Sequence, residues 1–420
     1  MTDTPTPTPT PTPTMPLLVI LIAPNVSEQM GGEAMKALQI LREMRRPLPE
    51  TLQVTHERNA TEVRRLRLDG VHLVEDTWLA LAIWHSVVLR FLLGPWFSWK
   101  AVRLAERLAD AHARQGTKVL IHQVEPNSPV MPRWLSRRFP NVLGPVNGNI
   151  YYPAPFRRHE TLSASLRRQW HMPIQWLRRW QPFRRRGAEL ILVAGGDRTR
   201  RSLLAAGDDP ASMVDTVDCG VPEALLDRPR IEHHGVNPRF VHFGRLVFHK
   251  GTALIVRSLA HTRLKIELDI VGRGPELDRC RALAQELQLG ERVRFIDWYE
   301  RHEDLIASFQ AYRGMVLPSL EDANGIVVQE ALALGLPPIC LDWGGPQLLI
   351  QHGVNGFLVD PSTEDAIVRG IAGHLDALAA DPGLAERMSQ AGRVAAEAWR
   401  WPKVIAEWIA LYRKLATQAS

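Results

Sequence analysis

The chain has 420 residues, 45% hydrophobic and 23% charged, proportions that exclude wholesale disorder, a fibrous repeat and a polytopic membrane protein. Cys219, Cys280 and Cys340 lie far apart with no CxxC pair, which argues against a disulfide framework and a zinc site and fits a reducing cytosol. The formal net charge is +6 and is unevenly spread: residues 133–201 hold fifteen Arg and no Lys against Glu160, Glu189 and Asp197, which points to an anionic partner.

Residues 4–14 alternate Thr and Pro and cannot build a core, so 1–15 reads as a disordered tail, with Met15 an alternative start to Met1. Leu17–Ile22 is an apolar run suited to a buried parallel strand. Gly31-Gly32 leads into a helical pattern from Glu33 to Arg46, and Val54–Glu57 and Val71–Val74 are short strands. Residues 78–99 are strongly apolar but carry His85 and Arg90 and are broken by Gly94-Pro95, so a buried or membrane-surface helix is expected rather than a span. Trp99–Gln115 is an amphipathic helix ended by Gly116, and Val119–Ile121 and Leu190–Val193 are strands. Between them, residues 156–186 interleave Trp170, Trp176, Trp180 and Phe183 with Arg pairs. That pattern suits an anionic membrane headgroup layer, or else an ordinary helical excursion with a solvated Arg face.

The second half repeats the rhythm. Strands are expected at Arg239–Phe243, Lys265–Val271, Val293–Ile296, Gly314–Leu317 and Pro338–Leu341, with helices at Gly251–Ala260, Glu276–Leu287, Glu303–Gln310 and Gly325–Leu334. Alternating units of this length specify α/β architecture with parallel sheets. The expectation is two doubly wound Rossmann-like domains, 16–222 and 236–400, facing across a cleft, with a helix at 402–420 crossing back to the first. In such sheets ligands bind beyond the carboxyl ends of the strands.

Three segments at those ends carry chemistry. In VHFGRLVFHKG (241–251), Arg245 and Lys250 stand at a strand–loop–helix junction suited to a diphosphate, or are two solvated cations. In VGRGP (271–275), Gly272 and Gly274 permit close backbone approach to a ligand, or simply a tight turn. In the run 318–346, Asn324 and Gly325 open a helix, Glu330 follows within it, and Asp322 lies eight positions earlier. A carboxylate accepts two hydrogen bonds at once and suits paired sugar hydroxyls, although Asp322 can equally cap the helix.

Together these segments resemble the retaining nucleotide-sugar glycosyltransferases of glycosyltransferase family 4, which have the GT-B fold. The likeness covers the GRLxxxKG stretch, the GxGP turn, the acidic-x7-Glu element and Gly344-Gly345 through Gly356-Phe357-Leu358-Val359. It extends more loosely to SEQMGGEAMKAL (27–38), VLIHQVEPNSPVMP (119–132) and GPVNGNIYYP (144–153). The resemblance implies that Arg245 and Lys250 hold the donor diphosphate, that Glu330 binds the nucleotide ribose and that Gly31 and Gly32 close over the phosphates. It places Asp322 or its neighbour Glu321 near the donor sugar, with backbone N–H groups of Asn324 and Gly325. His122 would stand at the family's histidine position, orienting a sugar hydroxyl or a backbone carbonyl, unless it is simply structural. Two departures stand out: the first acid is Asp322 rather than Glu, and Leu348 replaces a frequent Glu after Gly344-Gly345.

The implied activity is retaining, metal-independent hexosyl transfer in bacterial-type surface polysaccharide synthesis. No cofactor is expected beyond a nucleotide-sugar substrate. The expected partners are that donor, a glycan or lipid-linked glycan acceptor, and an anionic membrane surface reached through 156–186, from the cytoplasmic side. The alternatives are a GT-B-fold sugar-nucleotide epimerase or a non-catalytic sugar-nucleotide binder. A nucleic-acid partner has only the Arg cluster in its favour and is not expected.

Overall fold

A computed structural model of the chain describes residues 16–78, 80, 83, 92–125, 128–130, 133–179, 189–299, 301–323 and 325–418. The expected 1–15 tail and most of the apolar run at 79–91 lie outside these residues. Seven parallel strands form the first sheet, in the order β3-β2-β1-β4-β5-β6-β7. They are β1 (Leu17–Ile22), β2 (Leu52–His56), β3 (Val71–Val74), β4 (Lys118–Gln123), β5 (Asn141–Val146), β6 (Leu190–Val193) and β7 (Met213–Asp215). Six more form the second, in the order β10-β9-β8-β11-β12-β13. These are β8 (Arg239–Phe243), β9 (Glu267–Val271), β10 (Val293–Ile296), β11 (Gly314–Leu317), β12 (Pro338–Leu341) and β13 (Phe357–Val359).

Strand alternation explains the layers. Val19, Leu21 and Leu120 face one side of the first sheet, with Ile40, Leu41 and Met44 of helix Gly31–Arg45. Leu18, Ile20, Ile22 and Ile121 face the other, with Phe97, Ala101, Ala105 and Ala109 of helix Leu93–Ala113. Side chains of successive strand residues point to opposite faces, so an all-apolar strand needs a helical layer on each. The second sheet does the same: Phe240, Ile270 and Val316 enter one core, and Val241, Val271 and Met315 the other.

Helix Trp401–Gln418 leaves the second lobe and packs on the first, where Trp401, Val404, Ile405, Trp408 and Tyr412 join the core of Val19 and Leu21. The chain therefore crosses between the lobes twice. The crossings pair: the Val221 N–H donates to the Trp399 carbonyl at 2.8 Å and the Trp401 N–H to the Val221 carbonyl at 3.1 Å.

Several elements differ from the sequence expectation: β7 and β13 fall outside the expected strands, and two further differences involve proline. Helix Leu93–Ala113 begins six residues before Trp99 and includes Gly94-Pro95, because proline is tolerated in a first turn whose N–H groups lack intrahelical partners. β5, unexpected from sequence, runs straight through Gly144-Pro145. Its register with β6 shifts between Leu143 and Val146, where proline cannot donate to the ladder.

Candidate functional site

The carboxyl ends of β8, β9, β11 and β12 bring the three motif loops together. The Gly244 N–H donates to the Val271 carbonyl at 3.1 Å, and the Leu246 N–H to the Arg273 carbonyl at 2.8 Å. The backbones meet so closely that a Cβ on Gly272 (φ 152°) would collide with the Gly244 carbonyl oxygen. Next to them, the His249 carbonyl accepts from the Leu320 N–H at 2.7 Å and from Ser319 Oγ at 3.2 Å. The loop of Lys250 is thus fastened to the loop of Asp322.

Asp322 has two roles at once. Its Oδ1 accepts from the N–H of Gly325, the residue that precedes helix Ile326–Leu334, at 3.0 Å, and its Oδ2 lies 2.8 Å from Lys250 Nζ. The Asp322 carbonyl accepts from the Gly345 N–H at 2.7 Å, and a Cβ on Gly344 (φ 73°) would stand 2.5 Å from that oxygen. Gly344 is therefore what lets the chain close over Asp322. Arg245 is exposed at the same edge. Burial first, then the charges of Lys250 and Arg245, hold His249 below the ordinary histidine range, so both cations lie within electrostatic reach of one ring. Asn324 lies outside the described residues.

Two cavities border the start of helix Gly31–Arg45, and one of them is also lined by helix Ile326–Leu334 of the second lobe. One, about 260 Å³, is lined by Gly32, Lys36, Gln329 and Glu330, with Cys219, Val221 and Trp401 at its back. The other, about 540 Å³, is the cleft between the lobes, lined by Glu33, Gly148, Tyr151, Arg167 and His171 on one side and Glu321 and Ala323 on the other. Gly31 and Gly32 are the first residues of a helix rather than a separate loop, and that helix start borders both cavities. Partial burial raises the Glu321 carboxyl, and Arg167 is the first charge opposing the rise. Of the two candidate acids, Glu321 lines the cleft, while Asp322 is held by Lys250 and the Gly325 N–H. Arg245, Gly272 and Gly274 line neither cavity; they form the outer edge of the same loop cluster.

Of the roles expected for His122, the structure shows the hydrogen bond to a backbone carbonyl. The residue lies on the central strand β4, fully buried, with Nε2 2.7 Å from the Gly144 carbonyl oxygen and Nδ1 2.9 Å from the Tyr412 hydroxyl. Desolvation pushes it down to about 4, so the ring is neutral. It orients a backbone carbonyl and touches no cavity, because helix Trp401–Gln418 covers it.

The sequence reading missed a buried ionic group behind the helix start. Lys36 Nζ lies 3.1 Å from each carboxylate oxygen of Asp218, with side-chain exposures of 1% and 4%. Glu125, 2% exposed, sits beside them after β4. Desolvation pushes its carboxyl up to about 8; Lys36 opposes the rise, and Glu33 and Asp218 add to it. No local signal links these residues: Lys36 and Asp218 stand 182 positions apart.

Residues 226–395 match the family model described as Glycosyl transferases group 1. The lipopolysaccharide core biosynthesis glycosyltransferase LpsE of Rhizobium meliloti is 29% identical over 168 residues, covering 40% of this chain and 47% of LpsE. A GDP-mannose-dependent alpha-(1-6)-phosphatidylinositol monomannoside mannosyltransferase of Mycolicibacterium smegmatis is 31% identical over 238 residues, covering 52% of this chain and 61% of that protein. The chain spans about half the length of the curated relatives it matches. Among solved structures, the apo lipopolysaccharide outer core galactosyltransferase WaaB aligns with TM-score 0.64 at 15% identity, covering 95% of this chain and 99% of WaaB. Anabaena HepE in complex with UDP aligns with TM-score 0.61 at 17% identity, covering 95% of this chain and 100% of HepE. The chain as a whole has the GT-B fold, and its second lobe carries the match to the Glycosyl transferases group 1 family.

Proposed function

We propose that the protein is a retaining glycosyltransferase that moves a sugar from a nucleoside-diphosphate donor to a lipid-linked glycan, in the synthesis of a bacterial-type surface polysaccharide. The observation that carries this reading is one cavity lined from both lobes, by Gly32 at the start of helix Gly31–Arg45 and by Ile326 and Glu330 of helix Ile326–Leu334, with Lys250 tied to the approach of that second helix through Asp322, and with Glu321 in the neighbouring cleft. The group 1 match over the second lobe and the UDP named in the HepE structure support it.

In this mechanism the donor diphosphate lies against Arg245, Lys250 and the helix Ile326–Leu334 N-terminus, whose partial positive charge favours an anion. Glu330 takes the ribose hydroxyls. The bond from the anomeric carbon to the diphosphate oxygen breaks, and negative charge grows on that oxygen, where fixed cations lower the barrier. The acceptor hydroxyl, in the cleft, forms the new bond on the same face and gives its proton to the leaving phosphate. Glu321 meets hydroxyls of the sugar in flight, with Asp322 as a brace for Lys250.

The lipid link is supported by helix Leu162–Arg178. Ala164, Arg167, His171 and Ile174 line the cleft, while Leu162, Leu166, Trp170 and Leu177 stand exposed, at 78%, 47%, 57% and 58%. One helix thus joins the acceptor cleft to an outward apolar stripe flanked by Arg pairs, which suits a membrane interface. Part of the basic stretch, 180–188, lies outside the described residues. No described helix is long and apolar enough to cross a membrane.

Calorimetric titration with UDP-, GDP- and ADP-sugars tests the donor site: one nucleotide binds, and Arg245→Ala and Glu330→Ala each lose it. Binding by none of the three, or undiminished binding in both variants, sinks the proposal. Nucleotide release on mixing donor and acceptor excludes a passive binder, and an epimerised donor without transfer points to an epimerase. Flotation with phosphatidylglycerol vesicles, compared with phosphatidylcholine alone and with Trp170→Glu, tests the membrane face; absence of binding at low salt removes it.

A further inference from the structure

The cleft is bridged at its side by a residue that no motif singles out. Arg198, in helix Gly196–Ala205 of the first lobe, donates from Nε to the Gly148 carbonyl at 3.1 Å, from Nη2 to Asn147 Oδ1 at 2.8 Å and from Nη1 to the Gly344 carbonyl at 3.2 Å. Asn147 Nδ2 donates onward to the Ala323 carbonyl at 2.8 Å. One guanidinium and one amide therefore bind the first-lobe loop that walls the cleft to both segments that enclose Asp322. Asn147 is 3% exposed, and a Cβ on Gly195 would come within 2.8 Å of its Oδ1, so the amide is seated in a close-fitting notch.

These contacts are polar, one donor stands on a helix and the other on a loop, and their second-lobe acceptors are backbone carbonyls whose position follows the loop itself. Interfaces between domains of one chain are commonly of this polar kind, and relative motion is their default. Sugar transfer requires the acceptor oxygen and anomeric carbon to approach within about 3–3.5 Å, and a displacement of about 1 Å can cost about 100-fold in rate.

We propose that Arg198 and Asn147 are positioning residues that register the acceptor-side loop against the Glu321–Asp322 loop when the lobes are closed, and so set the distance across which the sugar moves. The proposal rests on the glycosyl-transfer reading for its rate consequence but not for its geometry.

The experiment uses the full chain with Arg198→Ala, Arg198→Lys and Asn147→Ala. Small-angle X-ray scattering reads lobe closure, calorimetry reads UDP and GDP affinity, and turnover is nucleoside diphosphate released from the donor sugar that binds. Both alanine variants are expected to show a larger radius of gyration than wild type. They are expected to lose about 100-fold in kcat with donor KM changed by less than about threefold, and Arg198→Lys to recover part of the loss. A merely structural role would lower melting temperature and raise KM together, without rescue, and that result overturns the proposal. So does unchanged turnover. If Arg198→Ala does not fold, the smaller change Asn147→Ala decides between the two outcomes. If the wild type binds no nucleotide, the transferase reading fails by itself, and equal radii of gyration in variants and wild type would then overturn the register.

Discussion

Lys250 Nζ lies 2.8 Å from Asp322 Oδ2, so the cation expected to hold the donor diphosphate is already paired with the acid expected near the donor sugar. An incoming diphosphate must compete with that carboxylate. Asp322→Asn keeps an oxygen for the Gly325 N–H but removes the competing charge. It should therefore bind UDP or GDP tighter, by about fivefold if the partly exposed pair is worth about 1 kcal/mol, while its turnover falls. Lys250→Ala should weaken the same ligand by about tenfold or more, because it removes a charge-assisted contact to phosphate. Calorimetry on the two variants checks the opposite signs.

Glu330 lines the smaller cavity with Gly32 and Lys36. If it grips the ribose, Glu330→Gln should weaken a nucleoside diphosphate by about tenfold and leave inorganic pyrophosphate unaffected, since hydrogen bonds to a charged partner are worth about 1.5–3 kcal/mol. Parallel titrations with UDP, GDP and pyrophosphate separate sugar recognition from phosphate recognition.

Glu125 supplies a pH signature. Its folded value, about 8, stands above the ordinary carboxyl range. The folded state therefore holds a proton that the unfolded state has lost; stability is present below about pH 4.5 and is lost as pH rises through about 8. Glu125→Gln, which mimics the protonated acid, should melt above wild type at pH 9 and match it at pH 5. Thermal denaturation at the two pH values checks the crossover.

The returning helix can be tested by substitution. Tyr412→Phe removes the 2.9 Å contact to His122 and should cost about 1 kcal/mol, whereas Trp408→Ala empties a core site and should cost about 3–5 kcal/mol. Gly220→Ala would push a Cβ to 2.5 Å from the Trp401 ring and should loosen the same helix. Urea denaturation ranks the three.

The strands are readable from sequence because each buried parallel strand is a short apolar run bounded by turns, as at Leu17–Ile22 and Arg239–Phe243. β5 escapes because Gly144-Pro145 interrupts its pattern, and helix Leu93–Ala113 reads short because Gly94-Pro95 looks like a break. In the site, Lys250, Asp322, Gly325 and Glu330 are legible since they fall within one sheet edge at fixed local spacings. Arg198, Asn147 and the Lys36–Asp218 pair are not, because their meaning comes from partners far away in the chain. The burial of His122 is hidden for the same reason: helix Trp401–Gln418, which covers it, arrives some 290 positions later.

Because the chain passes between the lobes twice, and Val221 pairs with the backbone on either side of Arg400, the joint is a double strap rather than a single tether. A single tether would let one lobe swivel freely. Two straps side by side permit bending about one axis and resist torsion, so any parting of the lobes would follow one path and return every loop to the same opposite number.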